Sequence, residues 1–297
     1  MASKEFHELQ ERLAAAPQPE PPATIQERRA RIDAALGGLP LADGVTATDV
    51  DAGGVPGLEL VPTGCENAPI ILYLHGGGFR VGSIAAYKGF CSQLARLAQR
   101  RVLLIDYRLA PENTFPAALD DCVSAYRYLL DRGTPSSQVA LAGDSAGGGL
   151  VLSVALATRA QNLDMPGAIA ALSPWADLTN SNESYRTRGQ ADALFSLEDA
   201  RTASEWYLAG HDPLDPLASP VFGELAGLPP LLIQVGDAEV LLDDAAAVAR
   251  AAAEAGVEVR HRVFADMPHV WQLSYPAFPE AVEAMEEIAA FVRDHTG

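Results

Sequence analysis

From residue 69 to the C-terminus, short apolar runs alternate with stretches of helical periodicity, and this alternation most constrains the fold. The runs 70–74, 102–105, 139–142, 169–172 and 231–235 each read as a short, largely apolar strand, and 257–264, with alternating Val and charged residues, reads as another. Between them, 87–99 places Phe90, Leu94 and Leu97 inward, and 117–131 does the same with Cys122, Ala125 and Leu129. Further helices are expected at 149–159 and 244–255, and a last one at 279–294 with Val282, Met285, Ile288, Ala289 and Val292 on one face. Ahead of these units, 46–50 and 57–61 look like two strands joined by Gly-rich turns. Repeated strand–helix units bury a strand on both faces only if helices cover both sides of a mostly parallel sheet. The expected class is α/β, with a central eight-stranded sheet flanked by helices.

The alternation breaks over 178–216. "DLTNSNESYRTRGQADALF" is polar, 197–208 has helical periodicity, and "HDPLDPLASP" is a proline-rich return. At the N-terminus, 3–15 reads as a helix with Phe6, Leu9 and Leu13 on one side. "APQPEPPA" follows, and its four prolines forbid regular structure. Thr24 and Glu27 then form a capping-box pattern before a helix striped by Ile25, Ile32 and Leu36 and stopped by Gly37-Gly38. The division expected is 1–45 as N-terminal cap helices, 46–177 with 217–297 as the core, and 178–216 as a cap insertion.

"VALAGDSAGGGL" joins a strand to a helix through Gly143-Asp144-Ser145-Ala146-Gly147. A G-x-S-x-G turn in that context forces small flanking residues and lifts the serine hydroxyl above the carboxyl ends of the strands. A plain tight turn would carry the same letters, so a second feature matters. "LYLHGGGF" runs from a strand into His75-Gly76-Gly77-Gly78-Phe79, where backbone N–H groups can approach a developing oxyanion unobstructed. Neither loop has the G-K-[ST] ending or the G-x-G-x-x-G spacing of a nucleotide site, so no cofactor is expected.

A serine hydroxyl needs a base. Of six histidines, His7 and His295 lie near the termini, His211 in the proline-rich return and His261 within a strand. His75 opens the glycine loop and can brace it. His269, in "DMPHVWQ", follows the last strand and emerges at the edge where Ser145 lies. No H-E-x-x-H pair exists, so no metal is expected. An acid that orients the imidazole should follow "LLIQV". Asp237, Glu239, Asp243 and Asp244 compete there; Asp243 and Asp244 suit capping of the next helix, and spacing leaves Asp237 and Glu239 both open. Asp144 is expected to point away from the site.

A net charge of −18 argues against nucleic acid and anionic membranes as partners. No apolar run reaches the ~18–20 residues that span a bilayer, and "MASKEFHELQ" lacks an apolar leader, so the expected location is the cytoplasm. Cys65, Cys91 and Cys122 are odd in number and widely spaced, unlike a disulfide framework or a zinc site.

"HGGGF", "DYRLAPE", "GDSAGG", "DPLASP" and "DMPHVWQ" together resemble, in order, the hormone-sensitive-lipase family of α/β-hydrolase esterases, from about Pro69 to the C-terminus. The resemblance implies a serine carboxylesterase acting on small or medium acyl esters, lactones being compatible, with a Ser145, His269 and acid triad. In the GDSAG branch the acid is the first acidic position of an E-V-L-L-x-D or D-P-L-x-D segment, which here is Glu239. That departs from the commoner aspartate and keeps Asp237 in reserve. The resemblance further implies Gly77, Gly78 and Ala146 N–H groups as oxyanion donors and a cap that shapes the substrate pocket, and it admits a homodimer. Asp106, Tyr107, Arg108 and Glu112 are assigned to structure, and Trp175, Phe195, Trp206 and Tyr207 are pocket candidates. The alternatives are an arylacetamide-type amidase using the same residues, and a non-catalytic small-molecule receptor of the same fold.

Overall fold

The structure, a computed structural model, describes residues 2–16 and 22–297; most of the proline-rich run after the first helix falls outside them. In chain order the helices are α1 (Lys4–Ala15), α2 (Ile25–Leu36), α3 (Ile84–Ala98), α4 (Ala117–Asp131), α5 (Ala146–Ala160), α6 (Ser184–Thr187), α7 (Leu197–Leu208), α8 (Leu242–Glu254) and α9 (Pro279–His295). The strands are β1 (Val45–Asp51), β2 (Pro56–Pro62), β3 (Ile70–Leu74), β4 (Arg101–Ile105), β5 (Val139–Asp144), β6 (Ala168–Leu172), β7 (Leu231–Gly236) and β8 (Val259–Phe264). Among the described residues these eight form one sheet in the order β1-β2-β4-β3-β5-β6-β7-β8. β1 and β2 pair antiparallel with their neighbours, and every other pairing is parallel.

The period of two along each strand sorts the core into halves. Leu72, Leu74, Leu141, Ile169 and Ile233 face α4, α5 and α8. Ile71, Tyr73, Leu104, Ala142 and Leu232 face α3 and α9. Both faces are covered, so the central strands are buried and largely apolar, and β3 and β6 are buried at all five positions. Cys91 and Cys122 are buried free thiols within these halves.

Several elements depart from the sequence expectation. α3 starts three residues early because the Ser83 hydroxyl accepts from Ala86 N–H and closes a first turn of Ile-Ala-Ala. α5 starts at Ala146, not at 149, since its glycines are held helical by packing despite their low propensity. α2 keeps its Thr24 cap, and its stripe is only half-buried, Leu36 packing against the α3–α9 half of the core. Arg29 adds to that hold, donating to Arg80 O, Ala110 O and the Glu112 carboxylate.

Asp243 and Asp244 do not cap α8. Asp243 accepts from Ser184 N–H, and Asp244 reaches across to the 176–182 segment. There its Oδ2 accepts from the N–H groups of Ala176 (3.2 Å) and Asp177 (3.0 Å), and its Oδ1 from Asn182 Nδ2 (2.8 Å). Asp244 is fully buried. Asp244→Ala is therefore expected to lose roughly 2–3 kcal/mol of unfolding free energy in a denaturant titration, the cost of stranding buried donors.

Candidate active site

β5 ends in Asp144, and the chain turns at Ser145 with φ 55° and ψ −120°, a conformation an L-residue holds only under constraint. The constraint is steric. A Cβ on Gly143 or Gly147 would run into Leu74 O, one on Gly148 into Pro174, and one on Gly149 into Trp175 O. Ser145 N–H donates to Leu172 O (2.8 Å) and Trp175 N–H donates to Ser145 O (2.9 Å), pinning the turn to the end of β6.

The hydroxyl so presented meets His269. Ser145 Oγ lies 2.9 Å from His269 Nε2, and His269 Nδ1 lies 2.6 Å from Glu239 Oε2. A carboxylate only accepts, so the imidazole proton sits on Nδ1 and Nε2 is left to accept from the serine. Glu239 is fully buried, and its other oxygen accepts from Ser173 Oγ (2.8 Å) and Gly236 N–H (2.6 Å). Asp237, the reserve acid, turns elsewhere and accepts from Asp266 N–H at the rim between β7 and β8. Ser173 carries no signal in the sequence. It occupies after β6 the place that Ser145 occupies after β5, also at positive φ, but no spacing rule marks it.

Asp144 indeed points away from the hydroxyl. Its Oδ1 accepts from Tyr73 OH (2.9 Å) and Gly76 N–H (3.1 Å), and its Oδ2 from Tyr87 OH (2.9 Å). Burial pushes this carboxyl up to about 6 in spite of those donors. The glycine loop is thus docked on the residue next to Ser145. Gly77 and Gly78 both have positive φ, and their N–H groups find no acceptor among the described residues. Ala146 N–H opens α5, where intrahelical partners are lacking.

His75 braces the loop: its Nδ1–H donates to Gly76 O (2.8 Å) and its ring stacks on Tyr107 at 4.3 Å. Burial lowers it to about 4, so it is neutral. The "DYRLAPE" segment ties neighbouring pieces together. Asp106 accepts from Ile84 N–H, Tyr107 donates to His75 O, and Arg108 clasps Asp121.

An apolar cavity of about 590 Å³ opens beside His269, lined by Phe6, Leu9 and Leu13 of α1 together with Leu194, Ala238 and Trp271. The aromatic pocket candidates lie elsewhere. Trp175 and Tyr207 are core residues, Tyr207 stacking on Phe79 at 3.7 Å; Trp206 packs under Arg80; and Phe195 lies against His269. Among the described residues no group of three or more His, Cys, Asp or Glu could hold a metal, and no helix is long and apolar enough to cross a membrane.

Comparison with known proteins agrees with this architecture. Residues 71–273 match the alpha/beta hydrolase fold family. An acetyl-hydrolase of Streptomyces hygroscopicus is 44% identical over 260 residues, 88% of this chain and 85% of that protein. An esterase of Acinetobacter venetianus is 37% identical over 223 residues, 75% of this chain and 74% of the relative. The crystal structure of an esterase from the bacterial hormone-sensitive lipase family superposes with a TM-score of 0.94 at 41% identity, each chain covered completely. The chain belongs to the hormone-sensitive-lipase family of α/β-hydrolases, and so to the carboxylic ester hydrolases.

Burial alone would lower the His269 imidazole, but the hydrogen bond and charge of Glu239, with the charges of Asp192 and Asp144, outweigh it and raise it above the ordinary value of 6.5. An activity that needs the neutral ring is lost as pH falls through a raised value. The acidic limb of kcat/KM is accordingly expected to have its midpoint above 6.5 in a pH–rate profile.

Proposed function

We propose that this protein is a serine carboxylesterase that cleaves short- to medium-chain carboxylic esters through an acyl-enzyme intermediate. The reading is carried by the unbroken hydrogen-bonded chain from Ser145 Oγ through His269 to Glu239. Ser145 Oγ attacks the ester carbonyl carbon while its proton passes to His269 Nε2. Glu239 stays ionised, holds the imidazole by Nδ1–H and stabilises its cation. The carbonyl oxygen takes up negative charge in front of the N–H groups of Gly77, Gly78 and Ala146, donors that need no reorganisation. Collapse of the tetrahedral intermediate breaks the bond to the alcohol oxygen, which receives the proton from Nε2. Water then attacks the acyl-enzyme with His269 again as base, releasing the acid and restoring the serine.

The name of one relative, an acetyl-hydrolase, favours a small acyl group. Lactones are cyclic esters and fall within the same chemistry. In this reading α1, α2 and the 178–216 segment form a cap over the site, and the cavity beside His269 receives an apolar part of the ester.

Ser145→Ala is expected to lower kcat on a p-nitrophenyl ester by roughly 10⁴-fold or more with the fold retained, judged by circular dichroism. Glu239→Gln should lose about 10²- to 10⁴-fold and Asp237→Asn should stay near wild type. Near-normal turnover by the serine variant would sink the mechanism, and a severe loss confined to the Asp237 variant would reassign the acid.

A further inference from the structure

We propose that segment 192–195, between α6 and α7, is a positioning element for His269: Asp192 docks it onto the turn that carries Glu239, and the Phe195 ring backs the face of the imidazole. The proposal rests on the reading of His269 as the base.

Asp192 is buried, and one carboxylate does two jobs. Its Oδ1 accepts from Leu194 N–H and Phe195 N–H, both at 3.0 Å, which folds the segment into a tight turn. Its Oδ2 accepts from Val240 N–H at 3.0 Å, the residue next to Glu239. The turn delivers Phe195, itself buried, against His269 with ring centroids 5.4 Å apart and planes at 23°. Behind it, Phe195 meets Trp175 edge to face at 5.4 Å and 72°, and the Trp175 backbone N–H donates to Ser145 O. An aromatic bracket therefore runs from the nucleophile's own backbone to the flat of the base.

Such a wall has a mechanical purpose. The bonds to Glu239 and Ser145 hold the imidazole by two in-plane nitrogens and leave its tilt out of that plane weakly restrained. A misplacement of about 1 Å in a reacting group costs on the order of 10²-fold in rate. A phenyl face also favours the imidazolium that forms as Ser145 attacks. Asp192 adds a charge in the same sense. The anions that bear on the ring are Glu239 from the β7–α8 turn, Asp144 from the end of β5 and Asp192 from this segment. Asp266, after β8, also lines the cavity beside it, whereas α1 brings only Phe6, Leu9, Gln10, Leu13 and Ala14, none ionisable.

Steady-state kinetics of Phe195→Leu, Phe195→Tyr and Asp192→Asn, with Ser145→Ala as reference, test this. Phe195→Leu keeps apolar bulk without a flat face and should lower kcat roughly 10- to 100-fold with KM little changed, whereas Phe195→Tyr should restore it. Asp192→Asn should move the acidic limb of kcat/KM to lower pH, because the anion that favoured the imidazolium is gone. A wild-type kcat in Phe195→Leu, or a raised KM with kcat unchanged, would reduce Phe195 to filler or substrate wall and overturn the proposal. So would an unmoved limb in Asp192→Asn, which decides alone if the Phe195 variants do not fold. Activity surviving in Ser145→Ala would instead defeat the underlying reading of the triad.

Discussion

The contact on which the site depends is the abutment of the first turn of α5 against the ends of β3 and β6. Gly143 and Gly147 let the turn lie directly on Leu74 O, and Gly148 and Gly149 let it lie on Pro174 and Trp175. With four positions stripped of side chains, the chain leaves β5 and enters a helix within a single residue. Ser145 absorbs the change of direction in a conformation that costs of order 1–3 kcal/mol. A doubly covered sheet can hold that strain because the strands beside the turn are buried on both faces.

The same turn fixes the second half of the site. Ser145 faces His269 while the residue before it, Asp144, faces the glycine loop and takes Gly76 N–H. Consecutive side chains of one turn thus set the hydroxyl and the N–H groups of Gly77 and Gly78 in a common frame. The arrangement buries a carboxylate, which burial drives up to about 6, and two tyrosine hydroxyls with one backbone N–H offset much of that cost. The third piece comes from β7. Glu239 accepts from Ser173 Oγ and Gly236 N–H with one oxygen and meets the imidazole with the other, so the carboxylate that faces His269 Nδ1 is itself anchored.

Much of this was legible in the residues. Five strands stood out because a strand covered on both faces is almost wholly apolar, while the edge strand β8 mixes apolar with charged residues; α4 and α7 stood out through clean periodicity and unambiguous ends. The pairing of Ser145 with His269 followed from chain order, since loops after parallel strands emerge at one edge. What stayed hidden was whatever tertiary packing decides. The Gly-rich start of α5 has poor helix propensity, so its register could not be read. Asp243 and Asp244 looked like caps because Asp at a helix start is usually local, yet both reach across to the 176–184 segment. Asp237 and Glu239 are equivalent by spacing. They differ only in which side of the β7 turn each faces, and family resemblance, not periodicity, favoured Glu239. Ser173, and the hold of Asp192 and Phe195 on His269, join residues far apart in the chain and leave no local trace.

In the proposed function one nucleophile, Ser145, is activated by one imidazole, His269. The most direct measurement is the rate of covalent inactivation by a fluorophosphonate as a function of pH, with the modified peptide located by mass spectrometry. The adduct should sit on Ser145 alone, and the inactivation rate should fall at low pH with the same midpoint as kcat/KM. An adduct on another residue, or an inactivation rate indifferent to the ionisation that governs turnover, would contradict it.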